Sequence, residues 1–287
     1  MQVHHRFVEI EGRRVFYREA GDPAAPHILL LHGAPASSHM FRNLIPLLAE
    51  SYHVVAPDYL GFGNSDSPLV DEFSYTFDSI TRVVGALADL LELGTYSIYV
   101  QDYGAPVGWR LALADPTRIT SVISQNGNAY TDGFGEIFWP ELWEHTAHPT
   151  PENEAPLRAG LTADSIRDQY VIGAFDVSLV SPDTWQSDFA NLQREGNVDV
   201  ALTLFRDYHT NVELYPAVHE WFRMSQVPAL VVWGAGDPIF VPAGAEAFRT
   251  DLPEAEVHLL DGGHLLLETH ASEVAALMLE FLGRANR

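Results

Sequence analysis

The run Ile98-Tyr99-Val100-Gln101-Asp102-Tyr103-Gly104 constrains this chain more than any other feature. A β-branched and aromatic stretch stops at Asp102, a glycine stands two residues later, and a helical pattern follows. Strand, sharp turn and helix is the setting in which an α/β sheet exposes a nucleophile, usually a serine between small residues. Here the position holds a carboxylate. With a reference pKa of about 3.9 it is ionised at neutral pH and needs no base to activate it. Attack on an acyl carbon would give a labile anhydride. Displacement at a saturated carbon would give an ordinary ester that water can cleave.

The surrounding pattern suits such a sheet. Residues 7–10 and 15–18 read as two short strands joined by the turn Glu11-Gly12-Arg13. Apolar runs at 27–31, 54–56, 97–100, 120–124, 230–233 and 257–260 read as buried parallel strands. Helical periodicity fills the gaps at 80–91, 108–114 and 265–282, and this alternation predicts a doubly wound α/β sheet. The alternation breaks over 131–224, where helix starts recur at Thr162, Ser181 and Asn197, and four tryptophans gather. A mostly helical insertion is expected there, with 148–156 as a surface loop, leaving 1–130 and 225–287 as the core.

Composition removes several functions. Acidic residues number 39 against 16 basic ones, a net charge of −23, and every basic residue is arginine. Nucleic acid and anionic membranes need basic patches, so neither is an expected partner. Without cysteine, disulfides, thiolate metal sites and thiol nucleophiles are excluded. The start Met1-Gln2-Val3-His4-His5-Arg6 lacks the layout of a signal peptide, and no apolar run approaches the roughly 20 residues of a membrane span. A soluble cytoplasmic protein is expected, with a homodimer allowed. His145 and His148 have metal-ligand spacing but no third ligand beside them, so no metal is expected.

A carboxylate nucleophile needs oxyanion donors, a base for the second step, and a group that orients the base. In His32-Gly33-Ala34-Pro35, after the strand at 27–31, Ala34 N–H is one donor candidate and Tyr103 N–H the other; His32 is expected to be structural. Asp237 closes the strand and glycine-rich turn Val231-Val232-Trp233-Gly234-Ala235-Gly236, and is the expected orienting acid. His264, after Leu259-Leu260-Asp261-Gly262-Gly263, is the expected base, completing the order nucleophile, acid, histidine. The loop Asp58 to Ser65 lacks a P-loop lysine and reads as structure beside the site.

These segments, with Ser37-Ser38-His39-Met40-Phe41-Arg42-Asn43-Leu44-Ile45-Pro46, resemble the α/β-hydrolase superfamily, and in particular its aspartate-nucleophile branch of epoxide hydrolases and haloalkane dehalogenases. The likeness covers most of the chain outside the insertion, which it implies is a cap. It implies cofactor-free chemistry on a small apolar substrate and water. Dehalogenases that resemble this chain place a tryptophan after the nucleophile and often an asparagine after His-Gly; here Tyr103 and Ala34 stand there. Epoxide hydrolases carry His-Gly-x-Pro, as this chain does, and two cap tyrosines that hold the epoxide oxygen. Tyr170 and Tyr208 match those positions loosely, with Tyr215 and Tyr130 behind them. Val100 stands where epoxide hydrolases commonly have glycine and dehalogenases often a β-branched residue, and Gln101 replaces the histidine common to both. The expected activity is therefore epoxide hydrolysis, with carbon–halogen hydrolysis and non-catalytic ligand binding as alternatives.

Overall fold

The computed structural model describes residues 1–285. The predicted strands are all present, most of them longer by a residue or two. β1 (His4–Ile10) and β2 (Arg13–Ala20) form an antiparallel hairpin. β3 (His27–Leu31), β4 (His53–Pro57), β5 (Tyr96–Val100), β6 (Ile119–Gln125), β7 (Ala229–Gly234) and β8 (Glu256–Leu260) run parallel to one another. The sheet order is β1-β2-β4-β3-β5-β6-β7-β8. The chain thus passes from β3 to β4 on one side and returns to β5 on the other. That reversal opens a crevice at the carboxyl ends of β3 and β5, where α/β sheets bind their ligands.

Side chains alternate across each strand, so the sheet buries two separate cores. Leu29, Val55, Ile98, Val122 and Val231 face one; Ile28, Val54, Tyr99, Ile123 and Leu230 face the other. Helices cover both faces: α1 (Ile45–Leu48), α2 (Phe77–Leu90) and α3 (Gly104–Ala114) in the first half. The predicted helix start at 108 lay four residues too late, because Gly104-Ala105-Pro106 already forms the first turn.

Between β6 and β7 the chain forms α4 (Trp139–Ala147), α5 (Pro151–Ala159), α6 (Ala163–Val171), α7 (Pro182–Leu192), α8 (Asn197–Asp207) and α9 (His209–Ser225). The segment 148–156, expected as a loop, is mostly helical. Thr150 accepts from Asn153 N–H, Pro151 opens the first turn, and Glu152 and Glu154 complement its dipole. Thr162 and Ser181 cap α6 and α7. Asn197 is not the cap of α8, a position held by Gly196. Its side-chain amide instead donates to Gly61 O (3.0 Å) and Asn191 O (2.7 Å), pinning the insertion to the loop after β4. α10 (Ala243–Ala247) and α11 (Leu267–Ala285) complete the fold. No helix among the described residues is long and apolar enough to cross a membrane.

The insertion also presses on the loops after β7 and β8. Gly173, at φ +78, lies so close to Gly236 that an added Cβ would sit 2.3 Å from Gly236 O. The strained backbone alone costs a non-glycine residue about 1–2 kcal/mol. Gly173→Ala is therefore expected to lower unfolding free energy by about 2 kcal/mol in a denaturant titration. An unchanged midpoint would mean that this contact does not hold the insertion down.

Candidate active site

Asp102 stands two residues past the end of β5 at φ +48, and α3 begins two residues later. The turn is closed by Gly104 N–H to Gln101 O (2.7 Å) and Ala105 N–H to Asp102 O (2.9 Å). Parallel pairing of Leu31 with Val100 brings the loop after β3 alongside this turn. Ala34 N–H donates to Asp102 Oδ1 at 2.7 Å, and Tyr103 N–H also bonds the carboxylate. Gly33 permits this approach: a Cβ there would lie 2.2 Å from Gln101 Oε1 and 2.4 Å from Asp102 Cβ. The Ala34–Pro35 peptide is cis. Burial pushes the Asp102 pKa up; His264 and the two backbone N–H groups pull against that, and the net direction is upward.

Asp237 and His264 come from the loops after β7 and β8. His264 Nδ1 lies 2.7 Å from Asp237 Oδ2, and its Nε2 faces Asp102 Oδ2 at 4.0 Å. Asp237 cannot swing away. Its Oδ1 accepts from Ile239 N–H (2.7 Å) and Phe240 N–H (3.1 Å), and its Oδ2 also accepts from the Asn126 amide (2.7 Å). A carboxylate so bound requires the proton on His264 Nδ1, leaving Nε2 as the basic nitrogen. Burial lowers the His264 pKa, but the charge and hydrogen bond of Asp237, and then the charge of Asp102, more than offset it and leave it raised. The arrangement offers a carboxylate in an N–H cradle, a base aimed at it, and a fixed acid behind the base.

Two residues outside the expected set complete this geometry. Gln101, fully buried, places Nε2 3.1 Å from His264 Nε2. Its Oε1 has no partner among the described residues. In one orientation the amide donates to the neutral imidazole; reversed, it accepts from the protonated one. Asn126, at φ +47, accepts from Gly234 N–H (3.0 Å) while donating to Asp237. Its place at the end of β6, next to β7, was the only signal for it. His32 is structural as expected: its ring nitrogens meet Gly33 O (2.8 Å) and Tyr59 N–H (3.2 Å), and burial lowers its pKa to about 4. Asp58 likewise ties loops together, accepting from Ser38 N–H and Asn64 N–H, both at 2.7 Å.

Asp102, Tyr103, Ala34 and His264 open onto a cavity of about 370 Å³ between the sheet and the insertion. Its walls are mostly apolar, with Phe62, Trp139, Leu157, Ile166 and Val200 among them. The expected pair of cap tyrosines is not on these walls, which corrects the sequence reading. Tyr170 is buried with its hydroxyl bonded to Asp188, and it is Asp188 that lines the cavity. Tyr208 packs behind Trp139 and Tyr103, at 4.8 and 6.1 Å between ring centroids, with its hydroxyl paired to Tyr215. It is near enough for Asp102 to raise its pKa, although burial and Tyr215 act more strongly. Tyr130 is engaged elsewhere, donating to Asp251 at 2.9 Å. Helical spacing could place these tyrosines on the insertion but could not say which way each faced.

The alpha/beta hydrolase fold family model matches residues 26–271. Over 277 residues the chain is 43% identical to an uncharacterized hydrolase of Saccharomyces cerevisiae, covering 94% of each protein. A haloalkane dehalogenase from Bradyrhizobium elkani superposes with a TM-score of 0.82 at 24% identity, covering 99% of this chain and 100% of that one. An epoxide hydrolase from Vigna radiata superposes with a TM-score of 0.77 at 22% identity, covering 98% of each. At these identities the two structures establish the shared fold and do not separate the two chemistries.

Asp237→Asn should move the His264 titration to lower pH, as followed by side-chain nitrogen NMR, because burial then acts with less opposition. The sign for stability follows. With a raised native pKa, His264 adds stability below its ordinary value of 6.5, and that contribution fades as pH climbs through the native pKa. The variant should lose it. A His264 titration unmoved by the substitution would mean that Asp237 does not govern the base.

Proposed function

The chain belongs to the alpha/beta hydrolase fold family and is a hydrolase, and we propose that it opens an epoxide to a diol through a covalent ester on Asp102. One observation carries the choice of epoxide over halide: the donors near Asp102 are phenols rather than free indole N–H groups. Among the described residues, Trp139 is the one tryptophan on the cavity wall, and its indole N–H is spent on Ile239 O at 2.7 Å. Tyr103, by contrast, lines the cavity with a buried hydroxyl that has no partner among the described residues. Burial and then the charge of Asp102 hold its pKa well above the usual phenol value, so it stays protonated and able to donate. A departing halide is stabilised by N–H donors; an opening epoxide needs a proton for its alkoxide.

In this reading Asp102 Oδ2 attacks a ring carbon while its Oδ1 stays in the Ala34 and Tyr103 N–H cradle. The carbon–oxygen bond breaks and its electron pair moves to the ring oxygen, which takes the Tyr103 proton. Tyr208 packs behind Tyr103, with its own hydroxyl spent on Tyr215. Ester formation removes the negative charge of Asp102, one of the influences that raises the His264 pKa, so the base becomes easier to deprotonate when it is needed. His264 then takes a proton from water, and the hydroxide attacks the Asp102 carbonyl carbon. The oxyanion forms at Oδ1, where each backbone donor is worth roughly 3 kcal/mol. Collapse releases the diol, and the two water protons end on its second hydroxyl and on Tyr103. The apolar walls favour an apolar substrate and exclude bulk water.

A second reading is compatible with the fold shared with a haloalkane dehalogenase: the same three residues displace a halide and the backbone N–H groups hold it. Incubation with apolar epoxides and haloalkanes, reading diol and halide on the same samples, separates the two: diol without halide supports the first, halide without diol the second. Asp102→Ala should form no diol. His264→Gln should accumulate an ester visible as a mass increase equal to the epoxide, and no adduct with a substrate the native protein consumes would refute the mechanism. Tyr103→Phe should lower kcat by about a hundredfold with little change in KM. A rate unaffected by that substitution would take the proton-donor role from Tyr103.

A further inference from the structure

The proposed reaction leaves three ionisable residues on the cavity wall unused, Glu141, Asp168 and Asp188, and of these Asp188 is the buried one. It lies on α7, is 2% exposed, and still lines the cavity. Tyr170, from α6, donates its hydroxyl to Asp188 Oδ2, which leaves Oδ1 for another partner. Behind the pair, Arg42 is held by both oxygens of Glu268, at 2.9 and 2.6 Å, so its charge is answered there rather than by Asp188. The charged and titratable groups that act on Asp188 are Tyr170, Glu268 on α11, Asp58 beyond β4, and Arg42. Those that act on Asp102 are His264 and Asp237. The two carboxyls share no partner, so the cavity has two separate polar positions. Gln169 and Asn191 also line it, and their side-chain amides make no hydrogen bond within the described residues.

Polar groups withdrawn from water are costly unless hydrogen-bonded. The buried Asp188 carboxyl, with one partner and an oxygen to spare beside two half-buried amides, is best accounted for by a ligand that completes it. We propose that Asp188, with Gln169 and Asn191, forms a second subsite that takes an uncharged, hydrogen-bond-accepting oxygen of the substrate, such as an ether or carbonyl, set apart from the carbon that Asp102 attacks. The inference rests on the reading of Asp102 as the reacting carboxylate, and it deepens that reading to an apolar epoxide carrying a second oxygen function. Burial raises the Asp188 pKa to about 7. On the acid side of neutrality it is therefore a neutral acid. Because Oδ2 receives the Tyr170 proton, Oδ1 carries the acid proton and can donate it to the ligand.

The test uses equilibrium binding of unreactive probes, so its outcome does not depend on turnover. The proteins are the full chain carrying Asp102→Asn, alone and with Asp188→Asn or Asp188→Leu. The probes are alkyl chains of one length ending in methyl, methyl ether or ammonium, followed by intrinsic tryptophan fluorescence. At pH 6 the ether should bind about fivefold tighter than the methyl probe, the worth of one neutral hydrogen bond. That preference should fade by pH 8.5 as Asp188 ionises and its donor proton is lost. Asp188→Asn keeps a neutral donor and should hold the preference at both pH values. Asp188→Leu should abolish it; should that variant not fold, the pH dependence and Asp188→Asn decide alone. No ether preference at pH 6, or its loss in Asp188→Asn, overturns the proposal. So does an ammonium probe that binds best and tightens as pH rises, which would mark a cation site. Failure to trap an ester in His264→Gln would instead strike the Asp102 reading and leave these binding results standing.

Discussion

A carboxylate at the end of β5, buried and held at a positive φ, has to be satisfied by its surroundings, and much of the architecture follows from that need. The crevice at the sheet's topological reversal supplies the answer. It brings the loop after β3 beside the turn after β5, so that Ala34 and Tyr103 can turn their N–H groups onto Asp102. Those groups restrain the rise in pKa that burial causes. In the proposed reaction they also stand where negative charge develops, so one cradle serves both the resting carboxylate and the tetrahedral intermediate.

The same economy governs the base. Four hydrogen bonds on Asp237 leave it one orientation, and that orientation dictates which nitrogen of His264 is protonated. Gln101 then meets the remaining nitrogen with an amide that can serve either protonation state. A histidine at that position would bring a second titrating group against the base, whereas an amide adds no charge. The departure from the family pattern at Gln101 therefore has a clear electrostatic consequence in this chain.

The helical insertion supplies what the sheet lacks: a roof over the cavity. Its backbone touches the loop that carries Asp237 directly, Gly173 against Gly236, and Asn197 binds it to the loop after β4. Its inner wall is mostly apolar, and the buried carboxyl on it is Asp188. The tyrosines expected to act there are instead structural partners, Tyr170 of Asp188 and Tyr208 of Tyr215. The tyrosine among the lining residues beside Asp102 is Tyr103, the residue that follows it in sequence.

The core was legible in the sequence because its signals are local. Apolar β-branched runs, glycine turns and helical periodicity each depend on a few neighbouring residues, and they located all eight strands. The order Asp102, Asp237, His264 was legible too, since each residue directly follows a strand whose end lies in the crevice. The helix over 151–159 was marked by Thr150, Pro151 and two acids, yet its proline content suggested a loop. Only the tertiary structure decided which way the insertion's side chains face, that Trp139 spends its indole N–H on Ile239, and that Asn126, Gln101 and Asp188 join the polar framework. Those outcomes rest on contacts between residues far apart in the chain, where neither spacing nor composition carries a signal. The sequence alone determined the sheet and the loops at its strand ends that carry Asp102, Asp237 and His264; packing alone decided which polar groups face the cavity.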